Sequence, residues 1–367
     1  MKTILHIIDT TGPGGAETVF IDLLTRLSKD KYRAIVVIRG KGWVFDELKR
    51  HGVTPIILDA KGSFNWRYLL SLRKIIKNEK VDLIQSHLLG SNLYSALAGL
   101  LTRTPVVATF HGSVDVGTRE RFNKLKFAVI NAGVNRVIAV SKDLSFDLIK
   151  RTSIKKSKLK IIYNGIAVDE FNEPHSNELR IKFGWNDDVI IIGSLGNIRT
   201  AKAYDKLLLS AALLKDSNLN FRFVIAGQGG NELHKKLLSL RKELKLIEYV
   251  HFLGFNDAPA RFLSNLDLLL LSSISEGFSI ATLQAMASKI PVLATRSGGP
   301  EEILSHGETG WLVKAGDAKA IATELERLFL DIGLMKNITR NAHNAVAEKF
   351  SISKTLMEYE SVYNELI

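Results

Sequence analysis

The chain has 367 residues, 46% of them hydrophobic and 24% charged, with a formal net charge of +12 and no cysteine. This globular composition fits two domains of roughly 150 residues or one large barrel of about 250 with additions, and the lack of an apolar run near 18 residues predicts that the chain does not cross a membrane. The absence of cysteine excludes disulfides, thiolate nucleophiles, iron–sulfur clusters and cysteine-ligated zinc, and fits a reducing compartment such as the cytoplasm.

Short apolar, β-branched runs alternate with longer segments of helical periodicity along the whole chain. The runs predict strands at residues 3–9, 33–39, 54–58, 81–86, 105–110, 135–140, 159–163, 188–194, 221–226, 249–253, 267–272, 290–294 and 310–313. The segments between them predict helices that include 15–29, 65–78, 90–102, 118–132, 141–151, 201–215, 230–246, 279–287, 317–331 and 335–349. This alternation predicts parallel sheets covered on both faces.

The order of elements restarts near the middle of the chain. Residues 4–8 run into a glycine-rich turn and a helix, and residues 189–193 do the same. We therefore expect two doubly wound domains joined within residues 164–178, a segment with an Asn-Gly turn signal and a polar stretch that contains proline. Because ligands collect at the carboxyl ends of the strands in open sheets, a cleft between two facing domains is the expected site.

The positive charge lies in the first half of the sequence. Residues 1–170 hold 28 lysines and arginines against 15 aspartates and glutamates, whereas residues 171–367 hold 22 against 23. This asymmetry predicts an anionic partner such as an acidic polysaccharide, a phosphorylated lipid or a bilayer surface, although it could serve solubility alone. Nucleic acid is disfavoured, because the cations are dispersed and aromatic residues are sparse at 8%, with no interleaved stacking pattern.

A first glycine-rich turn follows the first predicted strand. Gly14 and Gly15 would let backbone N–H groups approach a phosphate at a helix N-terminus. A dinucleotide site would also need a third glycine, which is absent, and an acidic residue after the second strand, where Arg39 stands. Arg39 could suit a 2′-phosphate, so an NADP-dependent oxidoreductase stays an alternative.

A second glycine turn opens the second half of the chain. Gly196 is followed by Arg199 and Lys202 near the start of a predicted helix. Two cations beside free N–H groups are typical of a diphosphate site, although both could equally be solvated residues of a first helical turn.

A third cluster follows the predicted strand 267–272. Glu276 falls in the loop after this strand, and Ser279 is the predicted N-cap of the next helix, so the N–H groups of Phe278, Ser279 and Ile280 would face an anion. A carboxylate here would accept hydrogen bonds from sugar hydroxyls or would pair with the helix dipole. Gln284 lies on the same helix.

Histidines end two of the predicted strands in the first half. His111 follows the strand 105–110 and precedes a glycine, which puts it on the cleft side of the first domain. A lone histidine in such a position is often structural, but the cleft side favours a functional role. His87 follows the strand 81–86 and is expected on the acceptor side, whereas His6 lies inside a strand and is interpreted as a satisfied core histidine.

Taken together, these motifs resemble the family-4 retaining glycosyltransferases of the GT-B fold. The resemblance spans nearly the whole chain, and the residues that carry it are Gly14-Gly15-Ala16-Glu17, Phe110-His111-Gly112, Tyr163-Asn164-Gly165-Ile166, Arg199 with Lys202, Ala226-Gly227-Gln228-Gly229, Glu276-Gly277-Phe278 and Ser297-Gly298-Gly299-Pro300-Glu301. It implies two Rossmann-like domains facing across a cleft: 1–168, to which the C-terminal helix at 351–367 returns, and 169–350.

The resemblance also implies roles for individual residues. Lys202 matches the lysine that grips the donor diphosphate, Arg199 its partner arginine, Glu276 the first glutamate of an E-x7-E motif, and His111 the histidine near the reacting sugar carbon. Gln284 replaces the second glutamate, which typically binds the ribose, so we expect weaker nucleotide binding. The donor-binding set is expected to be Gly14, Gly15, Asn164, Gly227, Phe255, Gly277, Phe278, Ser279, Ile280 and Gln284.

The reaction implied is transfer of a hexose from a nucleotide sugar, UDP being favoured over GDP, to a glycan or lipid-linked acceptor in polysaccharide or glycolipid assembly. No Asp-x-Asp occurs in the sequence, so neither a metal nor another cofactor is expected. The alternatives are a nucleotide-sugar epimerase, the NADP-dependent oxidoreductase and a non-catalytic nucleotide-sugar-binding protein.

A basic segment with interspersed apolar residues follows His111. Arg119, Arg121, Lys124 and Lys126 alternate with Phe122, Leu125 and Phe127. Such a pattern is typical of a surface that contacts an anionic membrane or a lipid diphosphate, and also of an ordinary surface helix. We expect Arg119 and Arg121 on the acceptor side, and a cytoplasmic protein with peripheral contact at the inner face of the membrane.

Overall fold

The computed structural model describes residues 1–60, 64–112, 116 and 122–367. The chain divides into two compact units, the first made of Met1–Asn164 with Ile352–Ile367 and the second of Gly165–Ser351. The break at Asn164 lies four residues before the predicted boundary at 168, at the Asn-Gly turn signal.

Seven parallel strands form the sheet of the first unit in its described residues. They are β1 (Lys2–Ile8), β2 (Tyr32–Ile38), β3 (Ile56–Ile57), β4 (Leu83–His87), β5 (Val106–Phe110), β6 (Arg136–Ala139) and β7 (Leu159–Ile161). Their order is β3-β2-β1-β4-β5-β6-β7, so the direction of winding reverses between β1 and β4. In an open parallel sheet the carboxyl ends of the strands at this switch point are the usual place for ligands.

Helices cover both faces of this sheet. They are α1 (Gly15–Arg26), α2 (Trp43–Arg50), α3 (Trp66–Asn78), α4 (Leu89–Thr102), α5 (Asn123–Gly133) and α6 (Lys142–Arg151). Two of them begin at side chains that cap the first turn: Asn65 accepts a hydrogen bond from the Tyr68 amide (3.0 Å) and Ser141 from the Leu144 amide (3.1 Å). Such caps satisfy N–H groups that have no partner inside the helix.

The second unit repeats the same architecture with six parallel strands. They are β8 (Ile190–Leu195), β9 (Phe221–Ala226), β10 (Val250–Gly254), β11 (Leu268–Leu271), β12 (Val292–Arg296) and β13 (Trp311–Lys314), in the order β10-β9-β8-β11-β12-β13. Its helices are α7 (Glu178–Phe183), α8 (Tyr204–Leu214), α9 (Glu232–Glu243), α10 (Pro259–Leu263), α11 (Ile280–Ala287), α12 (Gly299–Ile303), α13 (Ala318–Leu330) and α14 (Ile332–Lys349).

The last helix, α15 (Ile352–Asn364), belongs to the first unit. Its side chains Tyr359, Val362 and Tyr363 are fully buried in a core cluster with Leu83 of β4 and Val107 of β5. Because burial of a large apolar side chain contributes about 2 kcal/mol, this face holds the helix on the sheet. The expected return of the C-terminal helix is confirmed.

Each of these thirteen strands overlaps a range predicted from the sequence, and the α/β class with two Rossmann-like units is confirmed. Residues 118–121 of the predicted helix 118–132 lie outside the described residues, and α5 begins at Asn123 after Phe122, whose φ is 60°. The predicted helix 201–215 begins at Tyr204 after a 3-10 turn, Thr200–Lys202. In the part of the chain that the structure describes, no helix combines the length and the apolar character needed to span a bilayer.

Candidate active site

Lys202 and Glu276 meet at the carboxyl ends of β8 and β11 in the second unit. The Lys202 ammonium donates to Glu276 Oε1 at 2.6 Å, and the side chains of this ion pair are 22% and 11% exposed. The Ser273 hydroxyl donates to the same carboxylate oxygen at 2.5 Å. One carboxylate oxygen is thus held by two donors. Lys202, which is predicted to bind the diphosphate, lies next to Glu276, which is predicted to bind the sugar.

The loop that carries Lys202 is short and fixed by backbone contacts. It leaves β8 at Gly196, whose carbonyl accepts a hydrogen bond from the Tyr204 hydroxyl (2.7 Å). The Lys202 carbonyl accepts from the Ser272 hydroxyl (2.9 Å), and the Ala201 carbonyl from the Ile274 amide (2.8 Å). The bonds from Ser272 and Ile274 join the loop after β8 to the loop after β11. They fix the backbone of Lys202 relative to the loop that carries Glu276.

The backbone of Glu276 is held by the loop after β12. Its amide donates to the Ser297 carbonyl (2.8 Å), and its own carbonyl accepts from the Gly299 amide (3.0 Å). Glu301 turns back on the same loop and accepts from the amides of Ser297 (3.0 Å) and Gly298 (2.9 Å). The motif from Ser297 to Glu301 therefore supports the candidate site.

Helix α11 begins next to Glu276. Ser279 is its N-cap, as predicted, and accepts from the Thr282 amide (3.3 Å). The side chains of Phe278 and Gln284 are 6% and 9% exposed, and the Phe278 ring packs 5.6 Å from Phe350. An anion at this end of α11 would therefore meet the backbone around Gly277–Ile280 and not the phenyl ring.

Gly227 and Phe255 follow the two neighbouring strands. A Cβ on Gly227 would lie 1.9 Å from the Gly196 carbonyl oxygen, so only glycine allows the loops after β8 and β9 to approach this closely. Phe255 directly follows β10 and is 45% exposed, an available flat surface at the same edge of the sheet. Arg199 lies at this edge too, with its side chain exposed.

In the first unit, His87 and His111 form a hydrogen-bonded pair. His87 is the last residue of β4, His111 directly follows β5, and His87 Nδ1 lies 2.9 Å from His111 Nε2. Burial lowers the pKa of His111 to about 3 and that of His87 well below its ordinary value, with the neighbouring histidine a second cause for His87. Both rings are therefore neutral at pH 7, so they can polarise a substrate hydroxyl but cannot contribute a positive charge.

His6 is buried in β1, as predicted for a core residue, but it is not satisfied. Neither of its ring nitrogens has a hydrogen-bond partner in the described part of the chain, and burial lowers its pKa to about 3. The ring packs against Phe20, with centroids 6.4 Å apart.

The first glycine-rich turn holds a carboxylate of its own. The Glu17 side chain is buried in the first turn of α1, and a Cβ on Gly14 would lie 2.4 Å from Glu17 Oε2. Gly14 thus makes room for Glu17, and Gly15 begins the helix. Arg39, considered above for a 2′-phosphate, forms an ion pair with Asp59 (3.3 Å).

Of three further predicted residues, the structure describes Asn164 but not Arg119 or Arg121. Asn164, the last residue before the boundary between the units, is 3% exposed, and its side-chain oxygen has no hydrogen-bond partner among the described residues. Arg119 and Arg121 lie outside the described residues, so their predicted positions stay predictions.

Sequence reasoning did not single out Asp9 or Ser273. Asp9 follows β1, and burial raises its pKa to about 6 in spite of Arg39 and the backbone amides around it. Asp9 directly follows β1, and Ser273 lies two residues after the end of β11. A polar residue just after a buried strand is the sequence signal that could have identified both.

Two family models match the chain. The model described as "Glycosyltransferase Family 4" matches residues 13–170, and the model described as "Glycosyl transferases group 1" matches residues 175–345. The two matches together include each motif on which the resemblance rests.

Similar proteins agree with these matches. The N-acetyl-alpha-D-glucosaminyl L-malate synthase of Bacillus anthracis is 27% identical over 304 residues, which is 81% of this chain and 78% of that protein. The N-acetylgalactosamine-N,N'-diacetylbacillosaminyl-diphospho-undecaprenol 4-alpha-N-acetylgalactosaminyltransferase of Campylobacter jejuni is 26% identical and covers 98% of this chain and 99% of its own. The crystal structure of Anabaena HepE with UDP and glucose has a TM-score of 0.90 over both full chains at 22% identity, which supports the fold.

Proposed function

Because the chain belongs to the group 1 glycosyltransferases of family 4 and has the GT-B fold, we propose that it moves a hexose from a UDP-sugar to a hydroxyl of a glycan or lipid-linked acceptor with retention of anomeric configuration. The observation that carries this proposal is the Lys202–Glu276–Ser273 contact at the carboxyl ends of β8 and β11. It puts a cation for a diphosphate and a carboxylate for sugar hydroxyls within one hydrogen bond of each other. UDP as the nucleotide is supported by the bound UDP of HepE.

Lys202 and Arg199 bind the donor diphosphate together with backbone amides at the start of α11. As the bond from the sugar carbon to the β-phosphate breaks, negative charge grows on the phosphate, and these fixed donors stabilise it more in the transition state than in the ground state. This arrangement supplies the charge that a divalent ion would otherwise supply, and we propose that transfer needs no metal. In the described residues no group of three histidine, aspartate or glutamate side chains is arranged to hold an ion.

Glu276 holds the hydroxyls of the transferred sugar. Ser273 and, before the phosphate takes its place as partner of the lysine, Lys202 both bond to Oε1, so Oε2 is the oxygen open to a sugar hydroxyl. His111, a neutral imidazole, acts on the sugar near its reacting carbon. The acceptor hydroxyl attacks from the leaving-group face, the acceptor oxygen forms the new bond to the sugar carbon, and the departing phosphate takes the hydroxyl proton.

The acceptor is a lipid-linked diphosphate at an anionic membrane, which α3 of the first unit contacts. Trp66 and Leu70 are 64% and 54% exposed. They share one face of the helix with Arg73 and Lys77, at a spacing of three or four residues, and Arg67 and Lys74 lie beside this face. Helix α3 contains four cations and no acidic residue. An exposed tryptophan among cations is the composition of a helix at an anionic bilayer surface. The relative from Campylobacter jejuni, whose name includes diphospho-undecaprenol, supports this class of acceptor.

Acceptor-dependent release of UDP tests the reaction. Purified protein, a panel of UDP-sugars and lipid-linked diphosphate glycans are incubated in EDTA, and the product linkage is assigned by proton NMR. We expect release of UDP and an α-linked product from an α-linked donor. A β-linked product contradicts retention, and activity that appears only when magnesium is added contradicts metal independence.

Vesicle sedimentation tests the membrane contact. We expect binding to vesicles that contain phosphatidylglycerol but not to phosphatidylcholine alone, and loss of binding in Trp66→Ser/Leu70→Ser. The matched control, Phe146→Ser/Ile149→Ser, removes two exposed apolar side chains from α6 (59% and 39% exposed) and should bind as the unaltered protein does. Loss of binding in Phe122→Ser/Leu125→Ser alone would assign the contact to the segment after His111 instead.

A further inference from the structure

A row of buried polar side chains joins His111 to the C-terminal helix. Leu83, Gln85 and His87 are every second residue of β4, so their side chains point to the same face of the sheet. This is the face that α15 covers. Thr109 of β5 is the register neighbour of His87. These positions would ordinarily carry apolar side chains, because the strand is fully buried.

Hydrogen bonds run along this row without a break. The Tyr363 hydroxyl of α15 donates to Gln85 Oε1 at 3.1 Å. Gln85 Nε2 lies 2.9 Å from Thr109 Oγ1 and 3.1 Å from His87 Nε2, and His87 Nδ1 lies 2.9 Å from His111 Nε2.

The direction of each hydrogen bond follows from the first. The Tyr363 hydroxyl faces the oxygen of the Gln85 amide and donates to it, and burial raises the pKa of Tyr363 well above its ordinary value, so the phenol keeps the proton that this bond needs. The Gln85 nitrogen, with two hydrogens, then donates to Thr109 and to His87 Nε2. A neutral histidine that accepts at Nε2 carries its proton on Nδ1, so His87 donates to His111 Nε2 and leaves the His111 proton on Nδ1.

We propose that Gln85 and His87 are positioning residues that, oriented by Tyr363, hold His111 in its Nδ1–H tautomer, so that the C-terminal helix sets the hydrogen-bonding state of a site residue. This inference rests on the proposed function only for the role of His111 at the sugar. The relay itself is a property of the first unit and can be measured without substrate.

The tautomers can be read directly by long-range proton–nitrogen NMR of the full-length protein labelled with [15N]histidine, with the signals assigned from His87→Gln and His111→Gln. In the unaltered protein at pH 7 we expect a neutral His87 and a neutral His111, each with its proton on Nδ1. Gln85→Met removes the donor to His87, and Tyr363→Phe removes the hydroxyl that orients the amide, so in both we expect His111 to become a mixture of tautomers.

Tyr359→Phe is the matched control. Tyr359 is a second fully buried tyrosine of α15, but its hydroxyl lies 3.2 Å from Thr109 Oγ1 and not next to Gln85. We expect this variant to keep a single His111 tautomer and the unaltered kcat. Gln85→Met should lower kcat about tenfold with little change in the KM for the nucleotide sugar, since a misplaced proton costs about one hydrogen bond in the transition state.

Two results would overturn the relay. One is a proton on His111 Nε2 in the unaltered protein, and the other is an unchanged His111 tautomer in both Gln85→Met and Tyr363→Phe. If the tautomer shifts as expected while His111→Ala transfers sugar at the unaltered rate, the relay is supported and the proposed role of His111 fails.

Discussion

The contacts after β8 and β11 in the second unit differ in kind from those at the ends of β4 and β5 in the first. In the second unit, Lys202 and Glu276 are charged, partly exposed and paired with each other. In the first unit, His87 and His111 are neutral, and His87 bonds to two uncharged side chains, Gln85 and His111. The charged pair therefore lies where the proposed function puts the diphosphate, and the neutral histidines lie in the unit that it gives to the acceptor.

The two sets of contacts should respond differently to ligand and to pH. An ion pair that is 22% and 11% exposed can open when a phosphate replaces the carboxylate as the partner of the lysine, because the new contact is also charge-assisted. The buried neutral side chains from Tyr363 to His111 form no ion pair that a phosphate could open in this way. Protonation of a histidine among them favours the unfolded chain.

Removal of the lysine should have the largest effect. We expect Lys202→Ala to lower kcat/KM about a hundredfold, on the order of 3 kcal/mol, because the variant loses a fixed cation at the phosphate that gains charge. Steady-state rates with a UDP-sugar measure it. Lys206→Ala is the matched control, since Lys206 pairs with Asp205 (3.3 Å) on α8 and should keep the unaltered rate. Equal rates in the two variants would refute the diphosphate role.

Removal of the carboxylate should have the next largest effect. We expect Glu276→Ala to lower transfer at least about tenfold while UDP affinity changes little, because in the proposed function the carboxylate binds the sugar and not the nucleotide. The comparison of kcat with the Kd for UDP measures this. Ser273→Ala, which removes the second donor to Oε1, should give a smaller loss in the same direction. A collapse of UDP binding with unchanged transfer per bound donor would show that the sugar role is wrong.

Acid should destabilise the first unit through its buried histidines. The folded pKa values of His6 and His111 are about 3, below the unfolded value near 6.5, so the unfolded chain binds more protons between these limits. Stability then falls as the pH falls below 6.5, by up to about 1.4 kcal/mol per pH unit for each such histidine.

A single substitution isolates one histidine. His6→Leu should reduce the loss of melting temperature between pH 6.5 and 5.5, because the Leu side chain takes up no proton. An equal acid slope in His6→Leu and in the unaltered protein would contradict the assignment of a neutral buried ring.

The smallest effect concerns the ribose. We expect Gln284→Glu to tighten UDP binding about fivefold, since a carboxylate accepts from two ribose hydroxyls where the amide accepts from one and each hydrogen bond contributes about 1 kcal/mol. Isothermal titration calorimetry measures the change. Binding that weakens or stays the same would mean that Gln284 does not contact the ribose.

The sequence predicts the fold well because the strands are short, apolar and separated by helices of clear periodicity. The predicted helices do not include α7, α10 and α12, which have five or six residues and are too short for a periodic pattern to be recognised, or α2, whose eight residues make little more than two turns. The 3-10 turn before Tyr204 was also missed, because a change from one helix type to the next leaves no hydrophobic signature.

The site is predictable to the extent that it depends on the position of a residue after a strand. Lys202 and Glu276 could be assigned to loops at the carboxyl ends of strands, but their direct contact depends on how the loops after β8 and β11 bond to each other. The polar row from Tyr363 to His111 links residues that are 252 positions apart in the chain. No local pattern in the sequence reports such a contact.

The central claim is that protein cations and amides balance the donor diphosphate without a metal ion. Calorimetric titration of UDP and of uridine in EDTA, on the unaltered protein and on Lys202→Ala, tests it most directly. The account predicts that the unaltered protein binds UDP about a hundredfold more tightly than uridine and that Lys202→Ala loses most of this difference. Equal affinity for UDP and uridine, or preference for UDP that appears only with magnesium, would contradict it.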